Sequence, residues 1–143
     1  MAVDFTVIIR VRQRFGDFQP DVSGLEMNAP WVGEEKEFAF QCPNVDSSQE
    51  AILLFQAQGA QGSALEINGH AVSGAIHGGL DAMLSPTSPP ETIARARWNG
   101  NILLVRPGVL SDNNVLRIVA REVDHFDFDD FIIDNVAVVF KTL

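Results

Sequence analysis

The chain has no tyrosine, two tryptophans, one cysteine and only two lysines, Lys36 and Lys141, among 143 residues. Each shortage narrows the field. A lone cysteine, Cys42, excludes an intrachain disulfide and fits a reducing compartment. Ten Lys and Arg against nineteen Asp and Glu give a net charge of −9 and a pI near 4.6. Such a surface repels nucleic acid and anionic membranes at long range, so neither is an expected partner. No apolar run approaches the roughly 20 residues of a membrane-spanning helix. The opening segment, Met1 to Arg10, lacks the basic region and small-residue cleavage site of a signal peptide. The expected location is the cytoplasm, or outside the cell by a route without a recognisable signal peptide. Repeats, linkers and low-complexity blocks are missing too, so residues 1–143 read as one domain.

Catalytic signatures are equally scarce. His70, His77 and His125 are scattered without zinc-binding spacing, and neither a G-x-S-x-G elbow nor a phosphate-binding glycine loop occurs. Cys42 falls in phase with Phe38 and Phe40, which makes it a buried, inert thiol. The many acids could supply a carboxylate pair for glycoside hydrolysis, but their spacing selects none. The expectation is a protein that is not an enzyme, with a hydrolase as a distant third reading.

What is present is period-two patterning, without convincing helical periodicity. Phe5, Val7, Ile9 and Val11 alternate with Thr6, Ile8, Arg10 and Arg12, a strand with one wet face on which Arg10, Arg12 and Arg14 form a basic stripe. Ala51 to Ala57 reads as a central strand, with a helix as the competing assignment. Asn68-Gly69 and Asn99-Gly100 carry the strongest two-residue hairpin signal. Pro107-Gly108 ends a strand, and Leu116, Ile118 and Ala120 alternate with Arg117, Val119 and Arg121 in the next. Residues 73–90 hold three glycines and three prolines and read as a long loop. The last strand, Phe131 to Phe140, is apolar on both alternating faces, so it is buried on both sides. Asp134 lies in its middle, in phase with Ile132, Val136, Val138 and Phe140. A carboxylate there costs several kcal/mol unless it meets a cation or several donors. About eight strands without a βαβ rhythm point to an all-β, antiparallel β-sandwich or jelly roll.

Three segments sharpen this. Leu65-Glu-Ile-Asn-Gly-His70, Arg106 to Ile118 and Asp130 to Val138 together resemble the galactose-binding-like jelly roll shared by carbohydrate-binding modules and glycoside hydrolase accessory domains. The resemblance covers roughly the last eighty residues. It implies a lectin-like, carbohydrate-binding role and a structural calcium ion held in part by Asp134.

From the residues themselves, Trp98 beside Asn99 and Asn101 offers a flat aromatic face with amides to read sugar hydroxyls, and Trp31 is a second aromatic candidate. Asp134 and Asp130 are the candidate metal ligands, with pairing of Asp134 to backbone amides or to an arginine as the alternative. The cluster Asp124 to Asp130 reads as a solvated acidic bend anchored by Phe126 and Phe128. The leading expectation is a non-enzymatic module that binds carbohydrate. The rival is a structural protein that forms homo-oligomers, or binds another protein, through its apolar strands.

Overall fold

In the computed structural model, residues 2–20, 24–78, 96–124 and 127–143 are described, the side chain of Asp124 excepted. Two sheets face each other. The larger runs β3 (Trp31–Gly33), β2 (Gln13–Phe15), β12 (Phe131–Lys141), β5 (Ala51–Gln58) and β8 (Trp98–Val105), with β1 (Val3–Ile9) also paired to β12. The smaller runs β4 (Glu35–Gln41), β9 (Asn113–Val119), β6 (Ala64–Ile67) and β7 (His70–Ala71). A short ribbon of β10 (Glu122–Asp124) and β11 (Asp127–Phe128) stands apart. Only β2 and β3 pair in parallel; the other ladders are antiparallel. The expected all-β sandwich is present, and Ala51 to Ala57 is strand rather than helix.

One core joins the sheets. Leu53, Phe55, Val105, Phe131 and Val138 from the larger sheet meet Phe40, Leu65, Ile67, Leu116 and Ile118 from the smaller. Cys42 sits in this core at 0% exposure, and burial pushes its thiol up to about 11. A thiol held there stays protonated and unreactive.

β12 is central, as its sequence implies, but its two halves are out of phase. Asn135 adopts a left-handed backbone (φ 51°), and the register against β5 slips between Asp134 and Ala137. This bulge corrects the simple alternation. Phe131 and Ile133 point into the core before it, and Val136, Val138 and Phe140 after it. Asp134 therefore shares the outer face with Ile132, not the inner face with Val136.

Three further expectations fail for physical reasons. Asn99-Gly100 is no hairpin turn: both residues lie inside β8, opposite Ala57 and Gln56. Turn propensity there yields to eight consecutive ladder pairs with β5. The arginine stripe is a solvent face at Arg10 and Arg12 only, because Arg14 is 4% exposed and bonds the carbonyls of Asp17 and Phe18. Conversely Phe5, expected in the core, is 64% exposed. Of the expected 73–90 loop, residues from 79 onward lie outside the described residues, as does Phe126.

Asn68-Gly69 does form the expected turn, joining β6 to β7 with φ of 52° and 80°. The Asn68 amide also donates to the Val109 carbonyl and Asn114 Oδ1, both at 2.8 Å, and its oxygen accepts from Val115 N at 2.9 Å. Asn68→Ala removes these bonds and strains the left-handed site, at a cost of about 2–3 kcal/mol. The melting temperature should fall by about 8 °C, with Asn68→Gly milder; a shift within about 2 °C would contradict the bonding role.

Candidate functional site

Of the residues nominated for sugar binding, the two tryptophans lie on one ladder row, Trp31–Arg14–Ile132–Gln58–Trp98, and so on the outer face of the larger sheet, whereas the two asparagines point to its other side. Alternation along β8 sends Trp98, Gly100 and Ile102 outward and Asn99 and Asn101 inward. Asn101 is 7% exposed, and its amide grips the backbone of His77, accepting from N at 2.9 Å and donating to O at 2.6 Å. Asn99 donates to the same carbonyl at 3.1 Å. Both amides hold the 73–78 segment through His77.

Trp98 is committed elsewhere. The Arg12 guanidinium lies 4.9 Å from its ring centroid, and its indole N–H donates to Glu26 Oε1 at 3.3 Å. Arg12 in turn forms ion pairs with Glu26 and, through Nε at 2.8 Å, with Asp134 Oδ2. Asp134 Oδ1 accepts from Asn135 N at 2.9 Å. The carboxylate thus has the arginine and amide partners that its burial requires. A cation at Asp134 would have to displace the guanidinium, so these residues do not fit the calcium site that the resemblance implies. Among the described residues, no group of three or more His, Cys, Asp or Glu is arranged to hold a metal ion.

Asp129 and Asp130 are not a solvated bend; they are 0% and 1% exposed. Asp130 Oδ1 accepts from Asp17 N at 2.6 Å, and Asp17 reciprocates by accepting from Phe128 N at 3.0 Å. Both oxygens of Asp129 accept from Gln61 N, at 2.9 and 2.8 Å, and Oδ2 also accepts from the Ser63 hydroxyl at 2.6 Å. The Arg121 N–H donates to that hydroxyl oxygen at 2.9 Å, which aims its proton at Asp129. Sequence reasoning weighed this stretch by composition. Its hydrophobic register, Phe128 and Phe131 flanking the pair, was the available signal that the chain turns inward there.

Trp31 keeps an open face. It is 42% exposed, anchored by its indole N–H to Gly16 O at 2.9 Å, and stands edge-on to Phe18 with centroids 5.3 Å apart. Phe18 is itself 60% exposed.

A further exposed feature among the described residues bears on the rival reading of assembly through apolar strands. Ladder pairs run Phe5–Val139–Ile52–Leu104 across β1, β12, β5 and β8, and Val7–Ala137–Leu54–Ile102 directly beside them. Paired residues point to the same side of a sheet, so both rows lie on the outer face of the larger sheet. Phe5 and Ile102 are 64% and 73% exposed. The outer face of the smaller sheet is the opposite in character: Arg117 on β9 bridges Glu35 on β4 at 2.6 Å and Glu66 on β6 at 3.3 Å. That guanidinium holds the Glu35 carboxyl below its ordinary value.

No family model matches the chain, and no curated protein matches it. Among solved structures, the crystal structure of BuGH86wt in complex with neoagarooctaose aligns with 96% of the chain at 12% identity and a TM-score of 0.46. A variant of that protein with the same oligosaccharide aligns over the same share at 13% identity and 0.41. The chain spans 19% of the length of each. Scores below 0.5 do not establish a common fold.

Burial raises the Asp129 carboxyl above its ordinary value, against the lowering effect of the Ser63 and Gln61 bonds. A raised native value means that the folded state holds this proton more tightly than the unfolded state. Its contribution to stability therefore grows as pH falls through the native value toward the ordinary carboxyl range, and is lost as pH rises. Relative to Asp129→Asn, the wild-type melting temperature should gain as pH is lowered from 7 towards 4. A flat difference between the two proteins over that range would remove this assignment.

Proposed function

We propose that this chain is a non-enzymatic assembly module that docks on a protein partner through the outer face of its larger sheet. The observation that carries this reading is the pair of four-residue apolar rows that no part of the described chain covers. Contiguous apolar patches beyond a few hundred Å² are rare on monomers and mark interaction surfaces. The buried acids support the non-enzymatic part: Asp129, Asp130 and Asp134 each accept structural hydrogen bonds. If the rows are a docking face, Phe5→Ser with Ile102→Ser should leave the melting temperature within about 3 °C, since exposed side chains add little to folding. The same variant should bind an uncharged solvatochromic dye several-fold more weakly than wild type. A collapse of the fold would show that these side chains are already packed within the chain, and would defeat the reading.

Carbohydrate binding is the second reading, favoured by one specific feature, the open Trp31–Phe18 edge. Its aromatic faces suit the apolar side of a sugar ring, and Gly16 O fixes the indole. In a Trp98→Phe background Trp31 is the sole fluorophore, and neutral oligosaccharides should shift its emission at millimolar concentrations. Unchanged emission across agarose-, cellulose- and xylan-derived oligosaccharides would discard this reading.

A further inference from the structure

We infer that the apolar rows are the interface of a homodimer in which two copies stack face to face with a two-fold axis parallel to the strands, between β12 and β5. This inference rests on the docking reading above and names the occupant as a second copy of the chain.

Size is the first argument. Four strands about 4.8 Å apart, each carrying two successive outward residues about 6.8 Å apart, make an apolar patch of roughly 260 Å². A stable dimer buries about 800 Å² per partner, a little over half of it apolar. The rows supply the apolar centre of such a contact, with Val3, Lys141 and Glu50 at one end and Gln56, Gly100 and Asn135 at the other.

Shape is the second. A two-fold interface must be complementary to itself. The stated axis sets β1 over the second copy's β8 and β12 over its β5. Phe5 then faces the second copy's Leu104, Val7 its Ile102, Val139 its Ile52, and small Ala137 faces its Leu54. Every facing pair is apolar, and the smallest residue meets a large one. Sheets stacked about 10 Å apart interdigitate side chains of this kind.

Charge is the third, and it selects the axis. Val3 and Lys141 are paired in the ladder at one end of the rows, and Glu50 joins them in lining a shallow cavity of about 240 Å³ with Ile52 and Val139. Lys141 and Glu50 take part in no ion pair among the described residues. Under the proposed axis Lys141 of each copy meets Glu50 of the other, giving two symmetric rim pairs. An axis perpendicular to the strands would instead set this charged end against Gln56, Gly100 and Asn135. The net charge of −9 does not forbid the contact, because neither row contains an ionisable residue.

Sedimentation velocity on the full chain tests each part. Wild type should be a dimer at tens of micromolar, and Ile102→Glu a monomer with unchanged circular dichroism. Glu50→Lys and Lys141→Glu should each weaken the dimer about tenfold, and the double reversal should restore it, as expected of a charge pair across an interface. A monomeric wild type at 100 micromolar would overturn the second copy as occupant. The dye and melting results would still stand or fall separately on the docking face. A dimer that persists in Ile102→Glu would place the contact elsewhere, and a double reversal that fails to restore it would overturn the axis.

Discussion

The architecture turns on a single backbone irregularity, the left-handed residue Asn135 in the middle of the strand that pairs with three others. A regular β12 would carry Asp134 into the core beside Val136 and Val138, at a cost of several kcal/mol for an unpaired carboxylate. The bulge separates the two halves by half a period. Phe131 and Ile133 face inward before it, Val136, Val138 and Phe140 after it, and the one acid is turned outward to Arg12. Asparagine tolerates the left-handed conformation at small cost, and Asp134 secures it by accepting from the Asn135 N–H. The Asp134-Asn135 dipeptide is thus both the fault in the alternation and the means of holding it.

From that displaced acid a chain of contacts extends along the outer face. Arg12 links Asp134 to Glu26 and covers Trp98, while Leu25, Ala29, Ala96 and Ile132 form a small apolar cluster beneath. Part of the larger sheet's outer face is therefore covered by its own chain. Farther along β5 and β8 lie the two apolar rows, which no described part of the chain covers. The smaller sheet has no such division, since its outer face is crossed by the Glu35–Arg117–Glu66 bridge. Among the described residues, the smaller sheet's outer face carries that charged bridge, and the larger sheet's outer face carries both the Arg12 ion pairs and the two apolar rows.

Much of the fold was legible in the residues. β9 alternates cleanly, Asn68-Gly69 makes its turn, and both faces of Phe131 to Phe140 are apolar because the strand is central. Local propensity misled where tertiary pairing overrode it: Asn99-Gly100 has turn chemistry, yet β5 presents a full ladder for it to join. The bulge was hidden for a different reason. Period-two reading assumes an unbroken register, and nothing in Asp134-Asn135 alone announces a slip. The same assumption concealed the docking face. Continuous apolar runs such as Ala51-Ile-Leu-Leu-Phe55 and Ile102-Leu-Leu-Val105 signal burial of both faces, and a sequence does not say whether the second cover comes from the same chain.

The buried acids show how the opposite end of the molecule is made rigid. Asp129 closes on Gln61 and Ser63, while Asp130 accepts from the Asp17 N–H and Asp17 from the Phe128 N–H. Gly16 makes this closeness feasible: at φ 105°, a side-chain carbon there would come within 2.4 Å of Asp130 Oδ1. The ring of Trp31 hangs from the carbonyl of that same glycine, and Phe18 follows two residues later. An aromatic edge fixed in this way loses little side-chain freedom when it meets a flat ligand, which lowers the entropic cost of binding. The apolar rows gain the same advantage from the ladder beneath them. Both exposed surfaces are therefore preorganised by backbone pairing and buried carboxylates.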